Sequence, residues 1–159
     1  MEAGTDISFL TRHALFGGLN EEAMAIVSTF LKRHTFPAET NIICENNVGD
    51  CLYFIVEGCV EIIKEVPATQ TEPANKRVLA NLYAGDAFGE MELIDSQSRS
   101  ATVRAIEDVR LLSLSNKDLY QIHQKSPETF TMIILNLARE LSRRLRKQDE
   151  LLIQLNQGK

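Results

Sequence analysis

The chain has 159 residues, 44% hydrophobic and 25% charged, which suits one compact domain, gives no case for disorder, and lets folding bury roughly 68–70% of the unfolded surface without metal or disulfides. Its three cysteines, Cys44, Cys51 and Cys59, are odd in number and lack a CxxC pair, so no disulfide framework or thiolate zinc site is expected and a reducing, cytoplasmic setting is the default. A formal charge of -5 argues against general attraction to nucleic acid or anionic lipid, and no apolar run reaches the roughly 18 residues of a membrane helix.

Met1, Glu2 and Asp6 supply neither the basic nor the apolar region of a signal peptide. Asn20 is placed to cap a helix whose first turn holds Glu21 and Glu22, and Met24, Val27, Phe30 and Leu31 follow at helical spacing. From about Thr35 to Leu114 the pattern changes to short β-like runs at 51–56, 60–63, 78–82, 101–106 and 109–114. Gly49, Gly58, Gly85 and Gly89 fall at the ends of apolar runs, where a close backbone approach or an unusual φ is useful. Between Val66 and Lys76, Pro67 and Pro73 stand among polar residues, which reads as an exposed loop joining two strands.

After the strands, Ser115 with Asp118 forms a capping-box variant, and Ser126 followed by Pro127 starts a longer helix. With no breaker before Gly158, that helix spans residues 127–157 and runs roughly 46 Å at 1.5 Å per residue, longer than a domain of this size covers alone. Ile134, Ala138, Leu141, Leu145, Gln148, Leu152 and Leu155 alternate in steps of four and three, a heptad seam interrupted once by Gln148. A parallel partner helix in a homodimer is the simplest cover for it. The alternative is packing on the chain's own β-core, which Phe130, Ile133 and Leu137 are placed to provide near the start. Arg143, Arg144, Arg146 and Lys147, interspersed with Glu140, Asp149 and Glu150, read as a solvated helix face.

The chemistry-bearing stretch runs from Phe88 and Gly89 through Glu90, Met91, Glu92, Leu93, Ile94 and Asp95 to Ser98, Arg99, Ser100, Ala101, Thr102 and Val103. A glycine and an acid open a short segment that ends in an arginine just before a strand. Backbone N–H groups and a guanidinium could thus meet one anion, with a carboxylate nearby to accept from hydroxyls. A sugar phosphate fits that description, although the same residues would also suit a turn and a surface salt bridge.

This stretch resembles the phosphate-binding cassette of the cyclic-nucleotide-binding domain family, of the bacterial cAMP receptor and protein kinase A regulatory subunit type. The family pattern F-G-E-[LIM]-[AGS]-L, a short loop and P-R-[AST]-A-[TSW] is met at Phe88, Gly89, Glu90, Met91, Leu93, Arg99, Ser100, Ala101 and Thr102. Upstream, Phe36-Pro37-Ala38, the segment from Gly49-Asp50-Cys51 to Glu57-Gly58, and Gly85-Asp86 resemble the family's β-roll signature, so the similarity covers about residues 10–145. The resemblance implies a mainly β fold: an eight-stranded antiparallel, jelly-roll-like β-roll with N-terminal helices and a long, hinged C-terminal helix. It implies that Glu90 accepts from the ribose 2′-hydroxyl beside Gly89, and that Arg99 pairs with the cyclic phosphate. Backbone N–H groups of Met91, Glu92 and Ser100, with the Ser100 hydroxyl, take the other phosphate oxygens, and Ala101 lies next to them. Leu79 and Val103 wall the base, and a side chain between Arg139 and Arg143 caps it. Alanine after the arginine goes in the family with cAMP and threonine with cGMP; Ser100 here is as in the bacterial cAMP receptor, and cAMP is the expected ligand.

Three residues depart from the pattern. Glu92 replaces Ala, Gly or Ser, and its carboxylate would repel a phosphate by roughly 1 kcal/mol if solvated at about 4 Å, more if buried, and little if turned outward. Ser98 replaces the proline before Arg99, and Glu39 stands where the family often has glycine. An enzyme is not expected: His13, His34 and His123 lie outside the central strands and far apart, unlike the clustered ligands of a metal β-barrel, and no GxSxG elbow or P-loop occurs.

The expected organisation is an N-terminal helical segment (1–34), a β-roll (35–114) with the cassette at 88–103, and C-terminal helices (115–159) including the dimerisation helix 127–157. The chain ends soon after that helix, without room for a helix-turn-helix, so no nucleic-acid partner is expected. The expected function is a regulatory domain that senses a cyclic nucleotide, moves its C-terminal helix and informs an effector protein. A dimeric adaptor of the same fold that has lost the nucleotide is the alternative.

Overall fold

Between Lys32 and Ser115 the chain folds into eight strands: β1 (Lys32–Phe36), β2 (Asn41–Ile43), β3 (Cys51–Glu57), β4 (Cys59–Val66), β5 (Asn75–Tyr83), β6 (Ala87–Phe88), β7 (Thr102–Ala105) and β8 (Val109–Ser115). All pairings are antiparallel, in two sheets ordered β1-β8-β3-β6 and β2-β7-β4-β5. This computed structural model describes residues 8–95 and 97–158; the expectations resting on Met1, Glu2 and Asp6 therefore lie outside the described residues, as does Ser96 in the cassette. The described residues form two compact units, one from Thr29 to Leu119 and the other made of the described residues before and after it.

In the first unit the inward side chains of both sheets meet in one apolar cluster: Ile55, Phe88, Val109 and Leu111 from one sheet, Ile43, Val60, Val103 and Ala105 from the other. Period-two alternation makes this possible, since each strand offers one face to the cluster. Three strands extend further than the sequence pattern implies. β4 and β5 stay paired out to Val66 and Asn75, across a register shift at Ile62/Ile63, so the Pro67–Pro73 loop is a hairpin end. β1 begins at Lys32, three residues before the expected start, and places His34 inside a strand. There its Nε2 lies 2.8 Å from Ser113 Oγ, and burial, then the Lys32 charge, lowers its pKa. Glu39, the residue where the family often has glycine, adopts φ 65°, the left-handed region glycine enters without strain. Its N–H donates to Ala105 O at 2.8 Å and its carboxylate pairs with Arg104 at 3.4 Å.

The second unit contains most of α1 (Glu21–Phe30), the end of α3 (Asn116–Lys125) and the 31-residue α4 (Pro127–Gln157). The expected caps are formed: Asn20 Oδ1 accepts from Ala23 N at 2.8 Å, Ser115 and Asp118 exchange N–H bonds at 3.0 Å, and Ser126 Oγ accepts from Thr129 N at 3.3 Å. Buried Asn136 anchors α4 by donating to Leu15 O at 3.0 Å and Gly17 O at 2.8 Å. His123 packs edge-on against Phe130, ring centroids 4.8 Å apart. No described helix is long and apolar enough to cross a membrane.

Candidate functional site

The site is built where β6 turns into a five-residue helix, α2 (Glu90–Ile94), and where the following loop returns past the segment before β3. The turn is made by Gly89, which sits at φ 84°, ψ 17°. The return is held by backbone: Val48 and Ser98 form an antiparallel bridge, Arg99 N donates to Asn47 O at 2.7 Å, and Asn46 N donates to Arg99 O at 2.9 Å. With its main chain fixed this way, Arg99 sends its side chain inward and is 5% exposed.

Two glycines make the slot that the guanidinium fills. A Cβ on Gly49 would collide with Arg99 Nε, Nη2 and Cζ, and one on Gly89 would lie 2.7 Å from Arg99 Nη1 and 2.6 Å from Cys51 O. Nη2 donates to Cys51 O at 3.0 Å. Nη1 lies 3.1 Å from Glu92 Oε2, yet it is the one sealed side-chain polar atom among the described residues with no hydrogen-bond acceptor in line. The Arg99–Glu92 contact is therefore a coulombic pair with a donor direction left over.

Helix α2 inverts the usual burial pattern. Met91 and Ile94 are exposed, whereas Glu90 and Glu92 are buried beside Leu93. Burying carboxylates while exposing apolar side chains costs free energy on both counts, and such local inconsistency marks a working surface. The Glu92 carboxylate is turned inward onto Arg99, which is the costly one of its two orientations.

Of the residues singled out in the sequence, Gly89, Glu92 and Arg99 are brought into direct contact, and Glu90 is buried in the first turn of the same helix. Ser100 is exposed and Ala101 half-buried. Val103 belongs to the apolar cluster, while Leu79 and Met91 are each 61% exposed.

Sequence reasoning missed a second set of residues that hold the cassette's far end. Lys64 Nζ donates to Ser100 O at 2.5 Å and to Glu45 Oε1 at 2.6 Å, and Glu45 Oε2 accepts from Glu65 N at 2.9 Å. The Lys64 bond, then the Glu65 N–H, draws the Glu45 pKa downward. Glu45 N donates to Thr102 Oγ1 at 3.0 Å, tying the same segment to β7. A signal was present only in the charge alternation of β4, which cannot reveal a partner 19 residues away. Burial, then the neighbouring Asp50 carboxylate, pushes the Cys51 thiol up to about 11, so it stays protonated near neutral pH and serves the site through its carbonyl.

Comparison with known proteins places this geometry. The family model described as "Cyclic nucleotide-binding domain" matches residues 33–126. The cyclic AMP receptor protein of Thermus thermophilus is 33% identical over 135 residues, 85% of this chain and 58% of that protein, so the chain spans little more than half that relative's length. The crystal structure of a cyclic nucleotide-binding domain from Methylobacillus flagellatus has a TM-score of 0.80 at 25% identity, covering 96% of this chain and 83% of that one. The regulatory domain of Toxoplasma gondii PKA, co-crystallised with cAMP, has a TM-score of 0.67 at 26% identity, covering 76% and 44%.

Proposed function

The chain belongs to the cyclic nucleotide-binding domain family, and on that premise we propose that it is a cytoplasmic sensor that binds a cyclic nucleotide, cAMP in preference to cGMP. The observation that carries this reading is the Arg99 guanidinium, sealed from solvent between two glycines with Nη1 lacking an acceptor in line. A buried donor of that kind is complete only when an acceptor lies in line with its N–H, and a cyclic phosphate offers oxygens in the required fork geometry. Glu90 then accepts from the ribose 2′-hydroxyl beside Gly89. Met91, Glu92 and Ser100 supply N–H groups, Ala101 flanks them, and Leu79 and Val103 face the base. Lys64, by holding the Ser100 carbonyl, keeps that end of the cassette in place. The PKA regulatory domain that resembles this chain was crystallised with cAMP, and Ser100 is among the residue types the family pattern allows. No reaction is assigned to the chain.

Binding is read out by a shift of α4, biasing a two-state equilibrium that an effector protein senses. The same helix is the proposed dimer contact: Leu145, Leu152 and Leu155 are 61%, 57% and 70% exposed along its seam, and three leucines at heptad spacing need a partner helix. Sedimentation velocity is expected to show a dimer at micromolar concentration and a monomer for Leu152→Glu; a wild-type monomer removes this element.

Isothermal calorimetry with cAMP and cGMP tests the sensor itself, with saturable one-to-one binding and tighter association of cAMP as the expected result. The Glu92–Arg99 pair supports a second reading, an adaptor that has lost the ligand. Absence of saturable binding by either nucleotide would leave that one alone.

A further inference from the structure

An anion of the chain's own, the Glu92 carboxylate, stands against the guanidinium. Glu92 Oε2 is 3.1 Å from Arg99 Nη1, the two side chains are 9% and 5% exposed, and Glu90 is buried in the same turn. The guanidinium thus faces one buried carboxylate, that of Glu92. A phosphodiester added beside Arg99 with Glu92 in place would put two negative charges on one guanidinium in a desolvated pocket, an arrangement that like-charge repulsion opposes.

Resting on the nucleotide reading above, we infer that Glu92 occupies the phosphate subsite as an internal counter-anion, and that the ligand's phosphate binds by displacing it. Glu92 keeps Arg99 inward and neutralised in the free protein, where an unpaired buried cation would otherwise be expelled or scavenge stray anions. Because Glu92 meets Nη1 off the N–H axis, the contact is attractive without being saturated, and a phosphate oxygen in line with that N–H makes the better bond. Glu92 lies on a helix of five residues, whose short hydrogen-bonded span opposes little resistance to swinging the carboxylate toward solvent. The displacement lowers apparent affinity by the fraction of molecules in which the subsite is clear. The Glu92 carboxylate, unlike the backbone N–H of the same residue, takes no part in holding the nucleotide and sets the concentration at which the sensor responds.

The experiment compares cAMP binding by calorimetry to wild type, Glu92→Gln and Glu92→Ala, with folding of each verified by circular dichroism. Glu92→Gln keeps the shape and removes the charge, so it serves even if the alanine variant is too unstable to purify. Both variants are expected to bind at least about tenfold more tightly than wild type. Sodium sulfate supplies a second readout: it should raise the melting temperature of Glu92→Gln, whose Arg99 is unneutralised, well above any rise in wild type at equal ionic strength. Wild-type binding with unchanged or weaker binding in the folded variants overturns the inference and leaves the nucleotide reading standing. No binding by wild type or either variant overturns the reading, and the inference with it. Binding by the variants alone supports the inference and overturns the sensor reading for the wild type, whose subsite is then closed by its own carboxylate.

Discussion

Arg99→Ala is expected to weaken nucleotide binding at least about thirtyfold and to lower the stability of the β-roll by about 3–5 kcal/mol. The two losses have one origin. Arg99 at 5% exposure is the cation that makes burial of Glu92 tolerable, and at 3.1 Å their gross attraction is roughly 5 kcal/mol for an effective dielectric near 20. That outweighs the bond from Nη2 to Cys51 O, worth about 1.5–3 kcal/mol as a charged donor. Removing the guanidinium leaves Glu92 buried without its partner, and the segment must open to hydrate it. For the ligand, deleting one partner of a desolvated charge pair costs about 2–5 kcal/mol, a weakening of roughly thirtyfold to several thousandfold.

Urea denaturation and calorimetry separate the contributions. Arg99→Lys keeps a positive charge but not the planar fork that fits between Gly49 and Gly89, so it should retain more stability than alanine and still bind poorly. The double variant Arg99→Ala with Glu92→Ala should recover part of the lost stability, because it removes the stranded carboxylate together with its partner. A fall below about 1 kcal/mol for Arg99→Ala alone would mean that Glu92 escapes to water unaided, and the pair would then count for no more than a surface contact.

How much of this was legible follows from what each residue faces. Strands β3, β4 and β8 announce themselves because one side of each enters the apolar cluster, and the caps at Asn20, Ser115 and Ser126 are local chemistry. β1 leaves no such trace: Lys32, Arg33, His34 and Thr35 form an edge strand paired on one side only, so no alternation is imposed on them. β2 and β6 are too short for a period, three and two residues. The ends of β4 and β5 pair through backbone while β5 is exposed over most of its length, so propensity had no burial to report. At the site, the residue types were readable and their orientation was not. In a helix as short as α2, whether its third residue faces in or out depends on where Arg99 arrives from the other end of the loop. The exposed Met91 and Ile94 beside buried Glu90 and Glu92 reverse what hydrophobic periodicity alone would assign.

Gly89→Ala should be the most damaging of the glycine substitutions near the site, because two separable effects coincide there. At φ 84° an added Cβ carries the left-handed penalty of about 1–2 kcal/mol. It also lies 2.6 Å from Cys51 O, in a strand residue paired with Ser115, and 2.7 Å from Arg99 Nη1. Forcing those atoms apart adds roughly 1–3 kcal/mol of overpacking, for a total of about 2–5 kcal/mol, and pushes the guanidinium off the position where a phosphate would meet it. Two other glycines isolate the parts. Gly85 has φ 100° and nothing within 4 Å of an added Cβ, so Gly85→Ala should lose about 1–2 kcal/mol through conformation alone and bind nucleotide as wild type does. At Gly49 the three nearest atoms are all of the Arg99 side chain, with no backbone among them, so Gly49→Ala should weaken binding with a smaller loss of stability than Gly89→Ala. Urea midpoints and cAMP titrations of the three variants decide the matter. Equal destabilisation by Gly85→Ala and Gly89→Ala would show that Cys51 O and Arg99 yield freely, and the slot that orients the guanidinium would then be too soft to select a phosphate by its geometry.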